Sequence, residues 1–180
     1  MPRNRTRHAT IDTSCLCAIE HMNLFREVAF LFDQIHIPRR VREEFAKKFR
    51  SRKILARLPK QFTQFRYCNT ADEISVKLLL IERAGHRRKP RSDEGEAEAI
   101  VQAKQLGLSI VVMDDKKGRE WALARGLECR GTMWILEELR KLEFITDLRP
   151  KIEVLARNNI RLPSRDVARL LGKFNETDGS

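Results

Sequence analysis

Residues 92–125 read SDEGEAEAIVQAKQLGLSIVVMDDKKGREWALAR, a pattern that predicts a helix, a buried strand, an acidic turn and a second helix. A serine cap and acidic residues favour the start of the first helix, and Gly107 ends it. Ile110–Met113 is uniformly apolar, as expected of a parallel strand that is covered on both faces. Asp114 and Asp115 follow directly, so two carboxylates are predicted at the carboxyl end of a strand, where open α/β sheets bind ligands.

Two upstream strands place further acids in equivalent positions. A first strand is predicted at residues 8–12, with Asp12 at its carboxyl end and a helix after it. A second strand is predicted at Gln34–Ile37, and Pro38 suits the first position of the helix that follows. Glu44 lies beside the apolar stripe of that helix. Because parallel connections bring strand ends and helix starts to one edge, these acids are expected near Asp114.

The rest of the chain gives weaker patterns. Pro59 interrupts a basic stretch in which a short helix and a strand at Phe65–Cys68 are predicted. A capping box near residue 70 opens a helix that is predicted to bury three apolar side chains, Ile74, Leu78 and Ile81. Downstream, the pattern predicts a strand at residues 127–130 and helices at residues 132–141, 148–158 and 164–174.

Length and composition predict one domain over residues 1–180, with a core at residues 8–146, C-terminal helices at 147–175 and flexible ends at 1–7 and 176–180. The four cysteines are too scattered for a zinc site, and the four histidines show no metal-binding spacing. There is no apolar run of about 20 residues, so a cytoplasmic protein without a membrane partner is predicted.

The positive charge is large and concentrated. The chain has 36 Lys and Arg against 25 Asp and Glu, a formal net charge of +11. Basic residues cluster at residues 39–60 and 83–91. Either cluster alone could be a solvated helix face or loop. A basic surface around an acidic centre favours a polyanionic partner such as nucleic acid.

Four acids form the candidate site: Asp12, Glu44, Glu96 and Asp114. Each alone could be a cap, a turn residue, a solvated helix residue or a partner of a helix dipole. Like charges within ~4 Å repel by ~1–4 kcal/mol per pair, so a cluster of acids predicts a bound cation. Oxygen ligands without His or Cys suit Mg²⁺ or Mn²⁺, and these ions assist phosphodiester hydrolysis.

Several stretches of the chain also carry a family resemblance. They are IDTS at residues 11–14, IPRRVREE at 37–44, GEAEAI at 95–100, VVMDDKKGR at 111–119, GLECRGT at 126–132 and IRLPS at 160–164. With these stretches the chain resembles the PIN-domain family over nearly its whole length. It looks closest to the uncharacterised branch related to VapC-type toxin ribonucleases. The resemblance implies a three-layer α/β/α sandwich with a central parallel sheet and Mg²⁺- or Mn²⁺-dependent endoribonuclease activity.

The resemblance also assigns residues to roles. The catalytic quartet maps onto Asp12, Glu44, Glu96 and Asp114, and the predicted metal ligands are Asp12, Glu96, Asp114 and Asp115. Thr13 or Ser14 takes the small polar position that steadies the first acid. Glu96 is preferred to Glu98 for its spacing to Asp114, and Glu98 stays an alternative. One position departs from the family pattern, because Val112 stands where the toxins often have a polar Thr.

RNA is the predicted partner, bound by seven basic side chains: Arg39, Arg40, Arg87, Arg88, Lys89, Lys116 and Arg119. In a toxin–antitoxin pair, the further partners would be an antitoxin protein and a second copy of this chain. The alternative hypothesis is a non-catalytic RNA-binding PIN-like protein in an RNA-processing or ribosome-associated assembly. High basicity fits both hypotheses, and metal-dependent cleavage distinguishes them.

Overall fold

The structure of the protein is a computed structural model that describes residues 7–49, 53–68, 71–84 and 94–176. Its centre is a five-stranded sheet in which every paired strand is parallel to its neighbour. The strands are β1 His8–Ile11, β2 Gln34–Ile37, β3 Phe65–Tyr67, β4 Ile110–Val112 and β5 Glu128–Arg130. The helices are α1 Thr13–Met22, α2 Phe25–Ala29, α3 Arg39–Lys48, α4 Lys53–Gln61, α5 Glu73–Ala84, α6 Glu94–Gln105, α7 Lys116–Ala124, α8 Thr132–Lys141, α9 Arg149–Arg157 and α10 Ser164–Lys173.

The strand order is β3-β2-β1-β4-β5, and it creates a crevice at the middle of the sheet. The chain moves outward from β1 through β2 to β3, and then outward in the other direction from β4 to β5. The order therefore reverses between β1 and β4, whose residues Ile11 and Val112 are paired. In open parallel sheets, ligands bind outside the carboxyl ends of the strands at such a point. Asp12 and Asp114 follow the two strands that flank it.

Helices cover both faces of the sheet, which gives two separate cores. Successive side chains of a strand point to opposite faces. Ala9 and Ile11 accordingly belong to the larger core with α1, α2 and α8, whereas Thr10 points to the other face and donates a hydrogen bond of 2.9 Å to the backbone oxygen of Ala99 in α6. Val111 and Met113 belong to that second core. These layers confirm the predicted three-layer α/β/α sandwich with a parallel sheet.

The burial predicted for α5 is wrong. Ile74, Leu78 and Ile81 are 68%, 61% and 66% exposed, whereas Leu79 is 3% exposed and belongs to the second core. The helix carries a second apolar stripe, which includes Val76, Leu79 and Leu80, about 180° from the first one around its axis. Since both stripes have helical spacing, the sequence pattern could not decide which of them packs against the sheet layer.

Helix α4 also differs from the sequence prediction, because it continues through Pro59. A proline inside a helix lacks the N–H group that would bond to the carbonyl four residues earlier. Here that carbonyl belongs to Leu55, and it accepts a hydrogen bond from the hydroxyl of Tyr67 on β3. A neighbouring strand thus satisfies the acceptor that the proline leaves open, and the predicted strand at Phe65–Cys68 is confirmed as β3.

The ends of the described chain are anchored. The backbone N–H of Arg7 donates to Asp33, at 2.6 Å. Glu176 accepts hydrogen bonds from Arg140 and from the backbone of Leu148, both at 2.7 Å. The remaining residues that were predicted to be flexible, 1–6 and 177–180, lie outside the described residues. No helix in the described part of the chain is long and apolar enough to cross a membrane.

Candidate active site

Asp12 is the most buried acid of the site. Its side chain caps α1, and Oδ1 accepts a hydrogen bond of 2.8 Å from the backbone N–H of Cys15. The hydroxyl of Ser14 donates to Oδ2 at 2.7 Å. Asp12 is 1% exposed. Burial, and next the negative charge of Asp114, raises the pKa of Asp12 from 3.8 to about 6, although the hydrogen bonds from Cys15 and Ser14 act in the opposite direction.

Glu44 reaches the same edge from α3. The hydroxyl of Thr13 donates to its Oε2 at 2.5 Å, and the backbone N–H of Gly95 donates to its Oε1 at 3.2 Å. A Cβ on Gly95 would lie 2.7 Å from that Oε2, so only glycine lets the carboxylate approach the first turn of α6 this closely. The two small polar residues after Asp12 therefore have separate roles, because Ser14 contacts Asp12 and Thr13 contacts Glu44.

Glu96 and Glu98 point to different neighbours. Glu98 is 3% exposed and accepts a hydrogen bond of 2.6 Å from the backbone N–H of Arg40, in the first turn of α3. Burial raises the pKa of Glu98, and the bond from Arg40 opposes that rise. Glu96 instead turns towards α7, where its Oε2 lies 3.1 Å from the position that a Cβ on Gly118 would take. Glu98 thus holds α3 in place, and Glu96 faces the edge that carries Asp114.

Asp114 is held by the start of α8. Its Oδ1 accepts a hydrogen bond of 2.8 Å from the backbone N–H of Thr132, and its Oδ2 accepts one of 2.5 Å from the Thr132 hydroxyl. The cap position of α8 is Gly131, which supplies no side-chain cap. Asp114 takes over that function, and a Cβ on Gly131 would lie 2.5 Å from its Oδ1. Thr132 is thus a site residue that no pattern in the sequence indicated.

A buried thiol lies beneath the two aspartates. The Thr132 hydroxyl lies 3.8 Å from the Sγ of Cys15, a fully buried residue of α1. Burial, and next the negative charges of Asp114 and Asp12, raises the pKa of the Cys15 thiol. The thiol therefore stays neutral at physiological pH, and it adds no charge to the acids above it.

Asp115 has a structural contact of its own. It is the N-cap of α7, and its Oδ2 accepts a hydrogen bond of 2.7 Å from the backbone N–H of Gly118. The same Oδ2 lies 3.5 Å from the position of a Cβ on Gly118, next to the carboxylate of Glu96. The predicted metal ligand thus lies beside the acid cluster while its side chain caps a helix.

The fit of the four acids to a divalent metal depends on their grouping and on their donor atoms. Among the side chains of the described ranges, no three His, Cys, Asp or Glu residues are grouped as a ready-made metal site. Glu44 and Asp114 instead accept hydrogen bonds from backbone N–H groups in the first turns of α6 and α8. The donor chemistry does fit, since the four acids offer only carboxylate oxygen, which Mg²⁺ and Mn²⁺ prefer. The raised pKa of Asp12 indicates an electrostatic cost that a bound cation would remove.

The predicted RNA-binding residues fall into three groups. Arg39 and Arg40 are exposed on α3, and each forms an ion pair with Glu43. Lys116 is exposed at the start of α7, and Nη1 of Arg119 lies 3.1 Å from the position of a Cβ on Gly131, close to Asp114. The basic loop with Arg87, Arg88 and Lys89 lies outside the described residues. Lys116 and Arg119 are thus the two predicted cations that lie on the helix directly after Asp114.

Comparison with known proteins identifies one family. A family model described as a PIN domain matches residues 8–176, which covers all five strands and the four acids. A search of curated proteins finds no match. The matched range includes the parallel sheet and the acids that lie where its strand order reverses. The chain therefore belongs to the PIN-domain family.

Proposed function

We propose that this protein is a metal-dependent endoribonuclease that hydrolyses RNA phosphodiester bonds at the edge between β1 and β4. PIN domains are generally nucleases, and they usually use divalent metals. The observation that carries the proposal is the pair of Asp12 and Asp114, which flank the point where the strand order reverses. Asp12 is 1% exposed and lies near the negative charge of Asp114. A charged carboxylate in this position destabilises the folded chain unless a cation binds between the two side chains.

The acids have distinct tasks in this proposal. Asp12, Glu96 and Asp114 would hold the metal, with Asp115 beside them at the start of α7. When bound, Mg²⁺ or Mn²⁺ would supply the positive charge that favours attack of water on the phosphodiester. Glu44 would stay on the α3 side of the site, where its contacts with Thr13 and Gly95 fix its carboxylate.

The surrounding hydrogen bonds would orient these acids before substrate arrives. Ser14 and the backbone of Cys15 direct the two oxygens of Asp12, and Thr132 directs both oxygens of Asp114. Partners of this kind fix ligand orientation in metal sites, and their loss typically costs about 10–100-fold in metal affinity or activity. No such support comes from Val112, because a valine side chain has no hydrogen-bonding group and this one is buried in the larger core.

A second candidate function is RNA binding without turnover. It is favoured by one observation, namely that Glu44 and Asp114 already accept two hydrogen bonds each from the protein. Acids that are satisfied in this way could serve as helix caps with no metal between them. The basic surface would then hold RNA while the acidic edge stays inert.

The test is a cleavage assay on single-stranded RNA with purified protein. Cleavage is expected with Mn²⁺ or Mg²⁺, it should stop on chelation, and it should be lost in Asp114→Asn. A matched control is Asp72→Asn, because Asp72 is an exposed residue whose side chain accepts from Ser75 at the start of α5. RNA binding with no metal-dependent cleavage would refute the nuclease proposal and support the second candidate.

The toxin role is a finer part of the same proposal. It predicts that induced expression of the chain arrests growth of a bacterial host and that Asp114→Asn does not. It further predicts a protein partner that relieves the arrest. Growth arrest by Asp114→Asn as strong as that by the unchanged chain would separate toxicity from cleavage and contradict the toxin assignment.

A further inference from the structure

A groove of about 570 Å³ leads away from Asp114 along the surface of α8. One side is formed by α8 and the end of β5, and the other side by residues 161–163 and α10. We call it the C-terminal groove. The side chains that matter here are Arg119, Arg130, Trp134, Arg161, Arg169 and Lys173.

We propose that the C-terminal groove binds single-stranded RNA next to the bond that is cut, so that the C-terminal helix α10 is part of the substrate site. This inference rests on the proposed function, because it takes RNA as the substrate. It adds a place and four cations, Arg130, Arg161, Arg169 and Lys173, that the sequence analysis did not assign. Continuity supports the placement, since Asp114 itself lines one end of the groove.

The charge of the groove suits a phosphate backbone. Five cations line it against three carboxylates, Asp114, Glu137 and Asp166. Three of these cations are paired, with Lys173 at 2.5 Å from Glu137, Arg169 at 3.0 Å from Asp166, and Arg130 beside Glu128 of its own strand. Exposed pairs contribute little stability, so a phosphate can compete for these cations.

Arg161 differs from those paired cations. It is exposed, and no ion pair joins it to another residue within the described ranges. Its position in the segment before α10 places a guanidinium on the wall opposite α8. A guanidinium matches phosphate oxygens with two parallel N–H groups, so Arg161 is a fitting contact for a strand that lies in the groove.

The groove also offers a surface for a base. The guanidinium groups of Arg130 and Arg7 lie 5.0 Å and 5.5 Å from the ring centre of Trp134, and Arg130 and Trp134 line the groove. Unpaired bases stack on the planes of arginine guanidinium groups as well as on aromatic rings, so the guanidinium of Arg130 is the surface on which a base can stack. A double helix keeps its bases stacked inside, so it could use only the cations. A stacking surface among cations therefore points to a single strand.

The outer wall of the groove is held in place by contacts of Phe174 and Glu176. Glu176 accepts hydrogen bonds from Arg140 in α8 and from the backbone of Leu148 at the start of α9. The guanidinium of Arg140 also lies 5.2 Å from the ring centre of Phe174. The groove thus exists before RNA binds, which reduces the entropy lost on binding.

The test measures RNA binding separately from cleavage. A fluorescent single-stranded RNA is titrated with the full-length protein in chelator at several salt concentrations, and anisotropy gives Kd. The groove variant is Arg161→Ala with Arg169→Ala. The matched control is Arg26→Ala with Arg157→Ala, which removes the same charge from two exposed positions that do not line the groove. Arg157 also resembles Arg169, since it pairs with an acid of its own helix.

The groove variant is expected to bind RNA more weakly. The slope of log Kd against the logarithm of the salt concentration should fall by about 0.7 for each lost phosphate contact, or about 1.4 in total. The control should match the unchanged protein. Equal losses in both variants, or an unchanged slope in the groove variant, would overturn the proposal. Competition by poly-glutamate as strong as that by RNA would also overturn it, in favour of an acidic protein partner.

The two proposals fail in different ways. If the protein cleaves RNA in a metal-dependent way and the groove variant binds RNA normally, only the proposal about the C-terminal groove is overturned. Groove-dependent RNA binding without cleavage in Mn²⁺ would overturn the nuclease proposal and leave the groove standing.

Discussion

Replacing Asp12 by Asn is expected to stabilise the folded protein at neutral and alkaline pH when no divalent metal is present. The carboxyl of Asp12 has its pKa raised from 3.8 to about 6 by burial and then by Asp114. A folded-state pKa above the unfolded one means that this group favours folding at low pH. That contribution is fully present below about pH 4 and is lost as the pH rises through 6.

The size of the effect follows from the pKa difference. Because the pKa of Asp12 rises from 3.8 to about 6 on folding, its charged carboxyl lowers the unfolding free energy by about 3 kcal/mol at neutral pH and above. Asn carries no charge but keeps an oxygen for the backbone N–H of Cys15, so the cap on α1 survives. The hydroxyl of Ser14 can reverse its bond and accept from the new amide. We therefore expect Asp12→Asn to gain up to about 3 kcal/mol at high pH and almost nothing near pH 4.

Urea unfolding in chelator, followed by circular dichroism on either side of the folded pKa, measures this difference. Asp115→Asn is the matched control, because Asp115 also caps a helix by accepting a backbone N–H, from Gly118. Because Asp115 is only half-buried, its replacement should not give the gain at high pH that is expected for Asp12→Asn. Added Mg²⁺ or Mn²⁺ should then raise the stability of the unchanged protein more than that of Asp12→Asn. A loss of stability in Asp12→Asn, or an equal gain at both pH values, would refute the reasoning.

Three further predictions concern residues that the sequence alone could not place. Glu98→Ala should lower the unfolding free energy by about 1–3 kcal/mol, because the N–H of Arg40 in the first turn of α3 loses its acceptor, and should keep cleavage. Glu96→Ala should abolish cleavage and change the unfolding free energy little. The opposite ranking would exchange the two roles. Thr132→Val should lower metal affinity or cleavage by about 10–100-fold in a Mn²⁺ titration, and unchanged activity would show that its hydroxyl has no positioning role. Leu78→Ser should change the unfolding free energy by less than about 0.5 kcal/mol and Leu79→Ala should lower it by about 2–5 kcal/mol, whereas equal losses would contradict the exposed face of α5.

The sheet and two of its acids could be predicted because they depend on local signals. A uniformly apolar run such as Ile110–Met113 indicates a buried strand, and an acid directly after it must lie at the strand's carboxyl end. The same reasoning places Asp12. The topology supplies the rest, since parallel strands put all such ends on one edge. Neither step requires knowledge of how the helices pack.

The partners of the acids could not be predicted, because they depend on contacts between distant elements. Thr132 lies 18 residues from Asp114 and reaches it only because β5 returns α8 to the same edge. Helical geometry predicts that Glu96 and Glu98 face different ways, about 200° apart. Only the packing of α3 against α6 shows that Glu98 is the one that holds the backbone of Arg40.

Helix N-termini help several like charges to gather at one edge of the sheet. Asp12 caps α1, Glu44 accepts from the first turn of α6, and Asp114 accepts from the first turn of α8. Helix N-termini carry partial positive charge and unpaired N–H groups, so each acid is stabilised by about 0.3–1 kcal/mol or more where it meets one. Asp12 alone is too deeply buried for this to suffice, as its raised pKa indicates.

These contacts imply that helix capping and metal binding can use the same carboxylate. Each oxygen of Asp114 accepts one hydrogen bond from Thr132 and keeps a further lone pair for a cation. At Asp12, a bound cation would also remove part of the cost of burial. Metal affinity should therefore fall when Thr132 no longer holds Asp114, and a substrate phosphate that adds oxygen ligands should strengthen metal binding.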